Sequence, residues 1–199
     1  MIKAIIFDLN DVLVTWHDID ITKEFKKEMG IDIVSFWNVA SKHFGDLNLG
    51  KFSIDYFYKK ALLELGLSSS LSEKARKIQE SQYSLINGMV SLLEKLRGGY
   101  NLILMAGDNK ESLIYKLNKF KLKQHFKKIY CTCFEGIFKD DPTFFRKILS
   151  ENNLKLDEVL FIDDQERHLV AAREVGIKTI LFKNVNQLKE DLKSFGVEV

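Results

Sequence analysis

The chain has 199 residues, 46% of them hydrophobic and 29% charged, enough for one well-filled core, or a core with a small insert, and too little for two large independent domains. Thirty basic side chains against 28 acidic ones leave a formal charge of +2, so no general field draws the molecule onto nucleic acid or an anionic membrane. Its hydrophobicity also places it far from the disordered regime.

Taken in chain order, the first element is the run Lys3-Ala4-Ile5-Ile6-Phe7, whose length and β-branched content predict a doubly buried central strand ending at Asp8. Helical periods follow over 21–29, 34–44, 54–65 and 71–85, separated by Gly30, by the stretch 45–50 and by 66–70. Ser53 is the expected N-cap of the third, and Ser70 or Ser72 that of the fourth. The reading is a helical insert at 16–85 within a core made of 1–15 and 86–199.

From Asn87-Gly88 onward strands and helices alternate: a helix over 89–97, a strand over 101–106, a helix over 109–120, a strand near 128–132 and a helix over 142–151. The run Val159-Leu160-Phe161-Ile162 then ends in Asp163-Asp164, a helix covers 166–175 and a last strand covers 178–182. Apolar strands alternating with helices predict an α/β fold with a doubly wound parallel sheet, whose ligand site lies beyond the carboxyl ends of the strands. Asp8, residues 106–109 and Asp163-Asp164 fall there. No apolar window reaches the roughly 18 to 20 residues that span a bilayer, and the N-terminal run meets Asp8 without a cleavable small-residue site, so a cytoplasmic protein is expected. Cys131 and Cys133, one residue apart, form the kind of tight pair that seldom makes a stable disulfide, and they offer at most half of a zinc site.

Three acids on two strand tips must be balanced by a cation, a basic partner or protonation, and magnesium suits oxygen ligands beside a phosphate. Four segments carry a resemblance: Phe7-Asp8-Leu9-Asn10-Asp11-Val12-Leu13-Val14, Met105-Ala106-Gly107-Asp108-Asn109, Gly136-Ile137-Phe138-Lys139-Asp140-Asp141-Pro142 and Phe161-Ile162-Asp163-Asp164. In this order on the expected strand tips, they resemble the four motifs of the haloacid dehalogenase-like (HAD) hydrolases, in the phosphatase-like subgroup, and the insert resembles that family's small helical cap. The resemblance implies an Asp8 nucleophile that forms an aspartyl-phosphate, with Mg2+ between Asp8, the backbone carbonyl of Asn10, and Asp163 or Asp164. It implies that Lys139 steadies nucleophile and phosphoryl oxygens, that Ala106 and Gly107 occupy the phosphate-binding loop, and that Asp141-Pro142 caps the following helix. The implied substrate is a small phosphorylated metabolite.

Two positions depart from that pattern. Asn10 stands where the family's phosphatases carry a second Asp as general acid and base, a role typically worth about 10²- to 10⁴-fold. Ala106 stands where a Ser or Thr hydroxyl meets the phosphoryl group, a bond worth roughly 1.5 to 3 kcal/mol unless the Gly107 amide compensates. The expectation is therefore a slow phosphohydrolase, or alternatively a catalytically inactive protein of the same fold that binds a ligand or partner. Dehalogenation is disfavoured by Asp163-Asp164 beside Asp8 and by the lack of an obvious halide-binding arginine in the first loop. A slowly hydrolysed phosphoaspartate acting as a switch is a further alternative. Asp11 is expected to point away from the Asn10 side, Asp108 to pair with Glu111 as a helix cap, and His168 to lie on a helix surface. Specificity is expected in the loops 16–20 and 45–51.

Overall fold

The computed structural model describes the chain except His17 and the side chains of residues 18–21. The elements run β1 (Ala4–Phe7), β2 (Val14–Trp16), α1 (Asp18–Met29), α2 (Ile33–Ala40), α3 (Phe44–Asn48), α4 (Ile54–Glu64), α5 (Ser72–Ser81), β3 (Tyr83–Leu85), α6 (Met89–Leu96), β4 (Asn101–Ala106) and α7 (Lys110–Lys119). They continue through β5 (Lys128–Cys131), α8 (Thr132–Glu135), α9 (Pro142–Asn152), β6 (Val159–Asp163), α10 (Glu166–Val175), β7 (Lys178–Leu181) and α11 (Val185–Ser194).

Five strands form a parallel sheet in the order β5-β4-β1-β6-β7, as the alternating pattern predicts. Chain order runs outward from β1 in both directions, which puts the topological switch, and the crevice that goes with it, at the tip of β1. Strand alternation sends successive side chains to opposite faces. Ile5, Phe7, Leu102, Leu104, Leu160 and Ile162 fill one core with α6 and α11, while Ala4, Ile6, Ile103, Met105, Val159 and Phe161 fill the other with α9 and α10. Burial of β1 on both faces explains its continuous apolar run.

The helices α1 to α5 pack around a third core that includes Phe25, Phe36, Phe57 and Tyr58. Ser53 caps α4 as expected, its hydroxyl accepting from Tyr56 N. Neither Ser70 nor Ser72 caps α5: the preceding residue, Leu71, offers no side-chain acceptor, and the Ser72 hydroxyl donates to Asp55. The helix expected over 71–85 stops at Ser81, because Tyr83–Leu85 pairs antiparallel with Val14–Trp16 (Val14 opposite Leu85, Trp16 opposite Tyr83). This two-stranded ribbon carries the chain out of the sheet layer and back. The stretch 45–50 is not simply a separator, since α3 runs through Gly45, where a Cβ would stand 3.7 Å from the Phe138 ring. At its end Gly50 has φ +73°, and a Cβ there would stand 2.4 Å from the Cys133 carbonyl oxygen, so glycine allows the helical layer to meet α8 backbone to backbone. Helix α11 has a readable signal in Asn184 followed by Val185, Leu188 and Leu192, and its cap is that asparagine.

Candidate active site

Parallel pairing brings Asp8, just past the end of β1, beside the end of β6: Phe7 is level with Ile162, and Asp8 N donates to the Ile162 carbonyl at 3.0 Å. Asp8, Asp163 and Asp164 each present an oxygen within 4.8 Å of the others. Lys139, in the loop before α9, is buried and reaches Asp8 Oδ1 at 2.8 Å and Asp163 Oδ2 at 2.6 Å. Asp141 caps α9 by accepting from Thr143 N, with Pro142 as the first helical residue. That cap fixes where the loop ends and hence where Lys139 leaves it. A Cβ on Gly107 would come 3.2 Å from the Lys139 Cδ, so the missing side chain at 107 leaves room for the lysine stem.

Charge counting defines the chemistry of this cluster. Three carboxylates against the one Lys139 ammonium leave two negative charges, the balance a divalent cation would supply. Burial raises the Asp8 carboxyl to about 7, with Lys139 opposing and Asp163 reinforcing the rise. Asp163 is pulled the other way: burial penalises its charge, but His168 and Lys139 outweigh that and hold it below the ordinary carboxylate range. Asp164 is raised by burial and by its neighbour Asp163, and its Oδ1 is buried without a hydrogen-bond partner among the described residues. An orphaned carboxylate oxygen beside two further carboxylates suits a hard oxygen-seeking cation such as Mg2+.

Asn10 lies beyond Asp8 in a tight turn, where Leu13 and Val14 both donate to the Leu9 carbonyl. Its Oδ1 accepts from Lys116 Nζ at 2.7 Å, and the same ammonium meets Asp108 Oδ2 at 2.8 Å. Lys116 is 2% exposed and stands 4.3 Å from the centre of the Tyr83 ring. Burial disfavours its charge, yet Asp108 and the other nearby groups win and its basicity is raised. Ala106 sits at the end of β4 in the apolar core, and Gly107 is the residue of that motif that faces the crevice.

Three expectations change here. Asp108 does not cap α7; Asn109 does, accepting from Ser112 N, which frees Asp108 to pair with Lys116. His168 is 8% exposed rather than on the surface, and its Nδ1 lies 3.0 Å from Asp163 Oδ1. Asp11 is not extended but left-handed (φ 56°), with Oδ1 accepting from the Thr15 hydroxyl, so the alternation argument for its direction does not apply. Lys116 escaped the sequence reading, although its spacing from Leu113 and adjacency to Leu117 place it on the apolar stripe of α7. Of the loops expected to set specificity, 45–51 lies over the crevice, while His17 and the side chains of 18–20 lie outside the described residues. Cys131 is buried at the end of β5 and Cys133 is half-buried, both free thiols.

Two cavities share Asn10, Gly107, Phe44 and Asn48 as a common wall. One, about 460 Å³, contains Asp8, Lys139 and His168; the other, about 350 Å³, runs under the helical layer past Lys116.

The model of the haloacid dehalogenase-like hydrolases matches residues 5–182. A sesquiterpene phosphatase of Aspergillus oryzae is 28% identical over 178 residues, covering 88% of this chain and 87% of its own. Flavin mononucleotide hydrolase 1 of Arabidopsis thaliana is 28% identical over 129 residues, covering 64% of this chain; the match spans 52% of the plant enzyme's length. Among solved structures, a HAD family enzyme of Bacteroides thetaiotaomicron in complex with magnesium and inorganic phosphate superposes with a TM-score of 0.77 at 23% identity, over 92% of this chain and 96% of that one. With the family model matching nearly the whole sheet and the helical layer, and with the parallel sheet shared by these structures, the chain belongs to the haloacid dehalogenase-like hydrolases.

Proposed function

We propose that the protein is a Mg2+-dependent phosphomonoesterase that works through an aspartyl-phosphate on Asp8, with 16–85 as a cap over the site. The observation that carries this reading is Lys139 bridging Asp8 and Asp163 beside the unpartnered Asp164 oxygen. Similarity to phosphatases such as the A. oryzae enzyme supports the phosphoryl chemistry. Mg2+ would be held by Asp8, Asp163, Asp164 and the backbone carbonyl of Asn10, and when bound it neutralises the repulsion between carboxylate and phosphate.

Asp8 is the nucleophile, and Lys139 keeps its carboxylate oriented and contributes positive charge toward the phosphoryl oxygens. Gly107 offers its backbone N–H where the hydroxyl is missing at Ala106. His168 and the Gln165 N–H, 2.8 Å from Asp163 Oδ1, hold the Asp163 carboxylate in place. Asn10 is the weak point: its carbonyl is engaged by Lys116, so the amide offers only N–H donation and cannot carry a proton to the leaving oxygen or take one from water.

The test is turnover of p-nitrophenyl phosphate and a panel of sugar phosphates with and without magnesium. Turnover should require the metal, fall to background in Asp8→Asn, and rise on the order of tenfold or more in Asn10→Asp. Equal inertness of all three proteins overturns the phosphatase reading and leaves a ligand-binding protein that retains the Lys116-Asn10 clamp.

A further inference from the structure

The cavity beside Asn10 is walled by Trp16, Trp37, Phe44, Phe57, Tyr58 and Tyr83, and it opens onto the Asp8 crevice past Asn10 and Gly107. Trp37 stacks on Phe44 with ring centres 5.3 Å apart and meets Trp16 edge-on at 5.8 Å. Aromatic walls are common in protein cores, but here they enclose about 350 Å³. An apolar cavity of about 150 Å³ already holds a benzene ring. Most of the surface that lines the chamber is carbon, which suits an apolar group.

A second observation comes from the chemistry of the leaving group. Asn10 cannot hand over a proton, so an ester of an ordinary aliphatic alcohol would have to expel a strongly basic alkoxide. A phenol, ionising near about pH 10, leaves as its anion far more readily. Lys116 lines the chamber together with its partner Asp108 and polarises the Asn10 amide at 2.7 Å, which strengthens the amide N–H as a donor to such an anion.

From these two observations, and resting on the phosphatase reading above, we propose that the chamber takes the ring of an aromatic phosphate monoester, the phosphate ester of a phenol. Asp8 oxygen bonds to phosphorus as the bond from phosphorus to the aryl oxygen breaks. The electron pair leaves on the phenolate, hydrogen-bonded by the Asn10 N–H. Water then attacks phosphorus, the bond to Asp8 breaks with return of its carboxylate, and the proton of the water passes to the released phosphate. The second step lacks a side-chain base at position 10 and is the slower one, so phenolate appears in a burst.

Trp16 and Trp37 are the two tryptophans of the chain, and both line the chamber, so intrinsic fluorescence reports its occupancy without any turnover. With magnesium present, phenyl phosphate, glycerol phosphate and inorganic phosphate are titrated into the Asp8→Asn protein. Phenyl phosphate should shift the emission and bind about tenfold or more tighter than glycerol phosphate, the return expected from burying one ring. Trp37→Ala should remove that preference. Trp37→Phe, which keeps a ring but loses the N–H, guards against misfolding of the first variant and should retain most of it. In the unsubstituted enzyme Asn10→Asp should raise glycerol phosphate turnover by about 10²-fold, and the phenyl phosphate burst rate by less than about tenfold. Equal affinity for the two esters with unmoved emission overturns the proposal whether or not the protein turns over. A ring preference in a protein that hydrolyses neither ester supports the chamber and overturns only the phosphatase reading.

Discussion

Lys116 shows how one side chain can set the character of a site from outside its motifs. It joins Asn10 to Asp108 in a buried clamp, with the ammonium satisfied by two oxygens and by the face of Tyr83. Such a pair adds little net stability compared with apolar residues, but breaking it is costly, because the survivor is left charged and buried. Lys116→Met is therefore expected to lower the unfolding free energy in urea by about 3 to 5 kcal/mol. The double change Lys116→Met with Asp108→Leu should recover much of that loss. If the single variant is as stable as the parent, the clamp carries no such charge.

At the scale of elements, α3 and the turn after it lay the helical layer onto the sheet layer. Gly45 approaches Phe138, and Gly50 approaches the Cys133 carbonyl from a left-handed backbone. Gly50→Ala meets two penalties: the positive φ costs about 1 kcal/mol or more, and the new methyl must displace a backbone carbonyl. The expected outcome is a lower melting temperature together with a weaker grip on substrate, read as KM raised more than kcat is lowered. Thermal unfolding with parallel kinetics checks it; unchanged KM would mean that this contact does not position the helical layer. The β2-β3 ribbon is extended by one more hydrogen bond, Ile86 N to the Leu13 carbonyl, and α7 ties the layers together where the Tyr115 hydroxyl and the Lys119 ammonium both donate to the Glu80 carbonyl.

For the whole molecule, the switch at β1 concentrates charge where strand tips converge. Without a cation the acid cluster is relieved in part by Lys139 and in part by the raised Asp8 carboxyl. A dication that binds the folded state alone should therefore stabilise it, by about 2.7 kcal/mol at a hundredfold excess over Kd. Millimolar magnesium is expected to raise the melting temperature, chelation to reverse the rise, and Asp164→Asn to weaken it. Calorimetry that detects no magnesium uptake at millimolar levels would remove the metal from the proposed mechanism. No helix among the described residues is long and apolar enough to cross a membrane.

Much of this architecture was legible in the residues. Continuous apolar runs ending in acids indicated buried parallel strands, and Asp141-Pro142 and Ser53 marked helix starts, because these signals depend on neighbours within one turn or strand. The family, too, followed from four short segments in order. What the tertiary structure alone decided depends on partners far apart in sequence. Tyr83–Leu85 is a strand because Val14–Trp16 lies against it. Lys116 is a buried clamp because Asn10, 106 residues away, brings an amide oxygen to it. His168 faces inward where the carboxylate of Asp163, at the tip of β6, meets its Nδ1. Local pattern gives each segment its form, whereas buried charges and orphaned polar groups find their balance only when the strands that carry them are laid side by side.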